Sequence, residues 1–326
     1  MAARKSQWPW SRRSQKWDPP TLLDSILESP LRLLVQTIYF VLLHLRGAPF
    51  KPPRNKPKIR VICISDTHTN TLSIPHGDLL IHAGDLTNAG DVTEIQAQID
   101  WLDSLPHHHK IIIAGNHDSY FDPKSRKMED RKAGKKLNFR SLHYLENKAV
   151  TLKFKGGRKL NFFGSPHIPA CGGADFAFQY QKGEDPWQNR IPQGTDVLVT
   201  HTPPLHHLDI SLGCGGLLKE IWRVRPRLHV FGHIHSGHGR EAVFWDEGQQ
   251  AYERLKAREP AGLLRDFLPS MAWIDGLKVV WYGIKGILWQ RLMVGPSGGN
   301  GGLLVNAALV YQSTTDIGNP IEIVEL

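Results

Sequence analysis

The 326-residue chain is 40% hydrophobic and 22% charged, a balance that fits a globular fold large enough to bury its core without staples. Its three cysteines, Cys63, Cys171 and Cys214, exclude a disulfide framework, match no zinc spacing and suit a reducing, intracellular compartment. The net charge of +9 is uneven: residues 1–60 hold 12 of the 40 Lys and Arg but 3 of the 31 Asp and Glu, leaving 28 of each sign in the rest. A region beyond residue 60 without basic excess argues against dedicated nucleic-acid binding, and a basic leader points to a tail, a targeting segment or a membrane-surface contact.

Residues 1–20 are polar and basic, carry Trp8, Trp10 and Trp17, close on Pro19-Pro20, and are predicted to be largely disordered. Thr21 to Glu28 reads as a short helix ending before Pro30. Residues 31–45, LRLLVQTIYFVLLHL, place Leu31, Leu34, Val35, Ile38, Leu42 and Leu45 at helical spacing. The run is shorter than the ~20 residues of a spanning helix. Three placements are open to it: packed on the domain that follows, lying in a membrane interface, or spanning with flanking help. Basic flanks beside an apolar helix favour the interface. The late start and the lack of a small-residue cleavage site argue against a secretory signal. A Pro- and Lys-rich spacer, residues 48–60, follows.

The leader is therefore assigned to residues 1–57 and the main domain to 58–326, with an insertion at 241–300. From Lys58 onward, short apolar runs alternate with helix-like stretches such as Val92–Leu105, which predicts an α/β sandwich. The insertion holds a helix at Glu247–Arg258 and an apolar stretch, residues 271–294, with Trp273, Trp281 and Trp289 and with Lys278 and Lys285 together on one side. It reads either as an extra helix capping the sandwich or as a Trp-rich lid facing a membrane. The Gly-rich residues 296–302 then lead to a last strand pair, LLVNAALVY and IEIVEL.

Five apolar runs end in polar clusters: KIRVICISDTH (58–68), DLLIHAGD (78–85), KIIIAGNHD (110–118), DVLVTH (196–201) and RLHVFGHIH (227–235). Carboxyl ends of strands in open α/β sheets converge on one crevice, so Asp66, His68, Asp85, Asn116, His201, His233 and His235 are expected to meet. Oxygen donors mixed with imidazole suit Mn, Fe or Zn. Asp66 and His68 are two apart and would project the same way from an extended segment, as would His233 and His235. Asp85 is the natural carboxylate to bridge two cations, and Gly84, Gly115 and Gly232 each precede a ligand, where a bare backbone can turn sharply or come close. His117 is placed to face a substrate and protonate a leaving alkoxide, with Asp118 orienting it through its other ring nitrogen.

Each cluster alone has a bland reading as a turn or a solvated pair; five in order, each closing an apolar strand, do not. The remaining histidines carry less. His107, His108 and His109 read as a solvated loop, His82 as a core residue, and His167 as a loop residue near the pocket. His206, His207 and His238 flank motif loops and are weaker candidates for substrate contact. Cys63 reads as a small core residue.

In order, D-x-H, G-D, G-N-H-D, a lone H and G-H-x-H resemble the calcineurin-like metallophosphoesterase superfamily. HTPP (201–204), HLD (207–209), GCGGLL (213–218) and RPRLHVFGHIHSGHGR (225–240) are similar to its metallophosphoesterase-domain-containing class III phosphodiesterases. The resemblance covers roughly residues 58–240 and 301–325. It implies a four-layer αββα sandwich holding two divalent metal ions, Mn or Fe/Zn. One would be held by Asp66, His68, Asp85 and His235, the other by Asp85, Asn116, His201 and His233. It further implies that a metal-bridging hydroxide attacks a small-molecule phosphoester, most directly a phosphodiester. Some relatives lose the first histidine of G-H-x-H, whereas this chain keeps it as His233. The alternatives are a phosphomonoesterase or protein phosphatase, or a membrane-tethered interaction protein with a vestigial site.

Overall fold

The computed structural model describes residues 8–13, 18–181, 183–294, 301–311, 314 and 316–326. Trp17 and most of the Gly-rich 296–302 segment lie outside them. Along the chain run helices α1 (Leu22–Glu28) and α2 (Pro30–Arg46), then β1 (Arg60–Ile64), β2 (Leu79–Ala83), α3 (Val92–Ser104) and β3 (His109–Ile113). Next come α4 (Met128–Ala133), β4 (His143–Tyr144), β5 (Lys148–Phe154), β6 (Arg158–Ser165), β7 (Ile168–Pro169) and β8 (Gln179–Tyr180). The chain continues with β9 (Val197–Thr200), α5 (Gly215–Val224), β10 (Leu228–Phe231), β11 (Gly239–Phe244), α6 (Glu247–Ala257), α7 (Met271–Trp289), β12 (Gly301–Asn306) and β13 (Glu322–Glu325). They form two compact units, one of residues 52–241 and 302–326, the other of residues 1–51 and 242–301.

The first unit is the expected α/β sandwich. A five-stranded sheet has the order β13-β1-β2-β3-β4, and a six-stranded sheet the order β11-β12-β10-β9-β6-β5. Strands β1 to β4 are mutually parallel, as are β12, β10, β9 and β6. Strands β2, β9 and β10 are buried along their whole length, which is why they read as continuous apolar runs rather than as alternation. The two sheets lie face to face, β2 against β9 and β10, and β3 against β6. On the outer side, α3 lays Val92, Ile95, Ile99 and Leu102 onto Ile62, Ile64, Leu80 and Ile112. Asp91 starts this helix, its carboxylate accepting from the Thr93 and Glu94 amides.

The last two strands are not a pair. β12 joins β10 in parallel in one sheet, and β13 joins β1 antiparallel in the other. Between them the chain crosses sheets at the Ser65–Ala308 bridge, where the Leu309 amide donates to the Ser65 carbonyl. Two short apolar runs close in sequence suggest a hairpin, but nothing in their local pattern names the partner strand.

In the second unit the leader and the insertion share one core. Leu31, Val35 and Tyr39 of α2 pack with Ala251, Tyr252 and Leu255 of α6 and Val279 of α7. The Tyr39 and Tyr252 rings stack at 3.8 Å and 4°, and the Tyr39 hydroxyl donates to Gln249 Oε1 at 2.5 Å. Glycines let α2 and α7 approach: a Cβ on Gly283 would sit 2.6 Å from Leu42 Cδ1, and one on Gly276 2.9 Å from Val35 Cγ2. Asp275 of α7 turns inward to Arg258 at 2.7 Å and Arg254 at 3.4 Å. Of the placements open to residues 31–45, the structure shows packing, and against the insertion's own helices. Among the described residues no single helix is long and apolar enough to cross a membrane; α1 and α2 pass that test only as a pair bent by 119°.

Of residues 1–20, expected to be largely disordered, 1–7 and 14–17 lie outside the described residues, and Ser11, Arg12 and Arg13 bond to the start of α1. The Arg13 amide donates to the buried Asp24 carboxylate, Arg12 pairs with it at 3.0 Å, and the Thr21 hydroxyl donates to the Ser11 carbonyl. A buried carboxylate recruits such donors, which composition cannot reveal. Tyr252→Ala should destabilise the helical unit by roughly 3–5 kcal/mol. The expected readout is faster proteolytic cleavage within residues 22–46 at unchanged folding of the sandwich.

Candidate metal centre

The five polar clusters emerge where expected, from the carboxyl ends of β1, β2, β3, β9 and β10, and their side chains come together. Asp66, His68 and His235 place one potential ligand atom each within 4.8 Å of the others, and so do Asp85, His201 and His233. A third such group, His68, Asp85 and His117, lies between them. His235 Nε2 is 3.2 Å from Asp66 Oδ1, and His201 Nε2 is 3.4 Å from Asp85 Oδ2 and 3.0 Å from Asn116 Oδ1. His68 Nε2 lies 3.4 Å from His235 Nε2 and 3.8 Å from Asp85 Oδ2.

The backbone that delivers these groups is not extended. Asp66, His68, Asp85 and His233 have φ of 53°, 46°, 53° and 66°, in the left-handed region. The expected same-side projection of Asp66 and His68 from a strand is thus replaced by a turn. Such a conformation costs on the order of 1–3 kcal/mol per residue and persists where the surroundings over-determine it. Here the two loops hold each other, the Asp66 amide donating to the Gly84 carbonyl and the His68 amide to the Asp85 carbonyl. Two glycines are required by close approach: a Cβ on Gly232 would sit 2.0 Å from Asp66 Oδ2, and one on Gly115 2.2 Å from Asp85 Oδ1.

Electrostatically the centre is a buried anionic cage. Asp66 and Asp85 are almost wholly inaccessible. Burial alone would raise both carboxyls, yet Asp66 is held low by His235 and Asp85 well below the carboxylate range by His201. Burial opposes charge on His201 too, but Asp85 overrides it and pushes the imidazole up to about 9. Two buried carboxylates whose nearest partners are imidazoles will exchange protons on those rings for a metal cation. The residues fit a pair of divalent ions: hard oxygens and imidazoles converge, and His68 Nε2 faces both His235 Nε2 and Asp85 Oδ2. His201 is oriented for ligation, its Nδ1–H donating to the Ala83 carbonyl so that Nε2 faces Asp85 and Asn116.

His117 lies at the rim. Its Nδ1 is 3.2 Å from the Asn88 carbonyl, and its ring stands at 4.8 Å from that of His68 and 5.0 Å from that of Phe176. Asp118 does not orient it. The buried Asp118 carboxylate instead accepts from the Leu86, Thr87 and Gly115 amides and the Thr87 hydroxyl, clamping the two loops that carry Asp85 and Asn116. Adjacent residues in a tight turn point apart, so sequence neighbourhood misled. Asn88 and Phe176 were not singled out from sequence. Asn88 also donates to the His68 carbonyl, and its place just beyond the Gly-Asp motif was the one available signal.

The secondary histidines resolve mostly into structure. His82 and His229 are buried strand residues bonded to Thr67 and Thr200. His107 is buried on the Pro75 carbonyl and His109 begins β3, so of this run only His108 is the exposed loop residue expected. His207 pairs with Glu241 at 3.1 Å, His238 with the Pro320 carbonyl, and His167 with Ser165. Cys63 is buried in β1.

A sequence model described as Calcineurin-like phosphoesterase matches residues 59–237. The chain belongs to the calcineurin-like phosphoesterase family. It is similar to UPF0046 protein K07C11.7 of Caenorhabditis elegans, 34% identical over 251 residues, covering 72% of this chain and 82% of that protein. Metallophosphoesterase domain-containing protein 1 of Homo sapiens is 38% identical over 222 residues, covering 59% of this chain and 65% of that protein. A stretch of Probable rhamnogalacturonate lyase C of Emericella nidulans is 46% identical over 202 residues, which is 60% of this chain but spans only 19% of that protein.

Two substitutions separate the cage from its support. Gly232→Ala should expel Asp66 from its position and abolish stoichiometric Mn binding, measured by isothermal titration. Asp118→Ala should keep the ligands but weaken metal affinity roughly 10–100-fold, as loss of an outer support does.

Proposed function

We propose that this phosphoesterase-family chain is a dinuclear metal-dependent phosphodiesterase acting on a small-molecule phosphoester. The reading is carried by one observation: two groups of potential ligands, Asp66/His68/His235 and Asp85/His201/His233, meet through His68 and Asp85 in a single buried cage. The donor set supports Mn, or Fe with Zn. When bound, two such ions neutralise phosphoryl charge and acidify a water. The chain's own groups supply the rest. Asn88 holds His117 by Nδ1, which leaves Nε2 as the nitrogen that meets the leaving oxygen and gives it a proton. The Phe176 ring beside His117 offers an apolar wall for an ester arm. The preference for diesters rests on the resemblance of the motif text around the ligands to class III phosphodiesterases, while the retained His233 supports a complete rather than a vestigial site.

The test compares a bis-aryl phosphodiester with an aryl monoester, in Mn, using the full chain. Diester turnover should exceed monoester turnover and vanish on chelation and in Asp85→Ala and His233→Ala. Faster monoester turnover would replace the diester reading, and no metal-dependent turnover of either would remove the enzymatic one. His117→Ala should lower the rate about 10²–10⁴-fold on an alkyl ester. It should cost far less on a p-nitrophenyl ester, whose leaving group needs no proton.

A further inference from the structure

Helix α7 is built inside out for a helix in water. Its apolar residues Ile274, Leu277, Trp281, Ile284 and Leu288 recur at spacings of three and four, the signature of a buried stripe. In the structure that stripe is exposed: Leu277 is 67% and Trp281 68% accessible. The helix instead turns Asp275, Gly276 and Val279 inward. Leu292 and Met293 continue the exposed surface beyond the helix, and Leu264 and Phe267 add to it from the turn before. A soluble monomer seldom exposes a contiguous apolar surface of this extent without a use for it.

The charge beside the stripe is of one sign. Lys278 and Lys285, seven residues apart, run along one border and are exposed, as is Arg291 after the helix. The one acid of α7, Asp275, is buried against Arg254 and Arg258. Trp273 and Trp289 flank the stripe near its two ends, both exposed. Exposed aliphatic side chains, tryptophans and a lysine border together match the headgroup level of an anionic bilayer, where Trp rings settle and Lys meets phosphate. The stripe from Ile274 to Leu288 is about 21 Å long, short of the ~30 Å hydrocarbon core. A second copy of this chain fits less well: a two-fold pairing through this face would bring the same lysine borders together with no exposed acid on α7 to answer them.

We propose that the outward face of α7 lies flat in the interface of an anionic lipid bilayer, with Trp281 at its centre and Lys278 and Lys285 on the headgroups. The inference rests on this surface and is independent of the metal centre.

Flotation of the full-length protein with vesicles tests it, using phosphatidylcholine alone and phosphatidylcholine with a quarter phosphatidylserine. The wild type should float with the mixed vesicles. Leu277→Gln, Trp281→Gln and Leu288→Gln together should lower partitioning at least about 50-fold. Lys278→Gln with Lys285→Gln should lower it roughly 20-fold on mixed vesicles and hardly change it on neutral ones. These residues are exposed, so thermal melting and Mn binding should stay as in the wild type; a variant that melts early is replaced by Trp281→Gln alone. The proposal is overturned if wild type and triple variant float equally. It is also overturned if the wild type does not float but sediments as a dimer that the triple variant splits.

Discussion

The buried pair Asp66 and Asp85 is the constraint from which the sandwich's working edge follows. Two carboxylates that repel each other, out of water, are tolerable only if positive charge comes to them. Imidazoles from both sheets do so: His68 belongs to the loop after β1, His201 to the end of β9, His235 to the loop after β10. Face-to-face sheets with parallel inner strands are what bring those ends to one place. Gly115 and Gly232 then follow as necessities, since any side chain there would occupy a carboxylate oxygen's position. The left-handed backbone at Asp66, His68, Asp85 and His233 is the local strain that this convergence imposes.

Much of this was legible because the chemistry is written at strand ends. An Asp or His closing an apolar run tells where it sits in an α/β sheet, and five such runs constrain one another. What failed was everything that depends on direction rather than position. Asp118 lies beside His117 in sequence, but the turn sends its carboxylate into the backbone amides of neighbouring loops. The His107–His109 run looks solvated by composition, yet one ring reaches the Pro75 carbonyl and another starts a strand. The last two strands each show an apolar run, and only the crossing at Ser65 decides that they join different sheets.

The helical unit was harder to read for a different reason. Residues 31–45 and 271–294 both carry helical periodicity, but periodicity does not name a partner two hundred residues away. Their association rests on features without a pattern: a tyrosine pair, glycines opposite Val35 and Leu42, and an inward Asp275. The outward stripe of α7 likewise looks like core in the sequence, since periodicity reports a face and not what it faces.

That α2 finds core partners in α6 and α7 has a consequence for biogenesis. During synthesis α2 leaves the ribosome while its partners are still some two hundred codons away, a delay of roughly 10–40 s at ordinary elongation rates. Through that interval Leu31, Val35 and Tyr39 have no core to enter, while the strands of the sandwich are emerging beside them. The nascent chain thus carries an apolar helix ahead of the segments that form its core. Helix α2 is made before the sandwich, yet completes its packing only after most of the sandwich strands have been made.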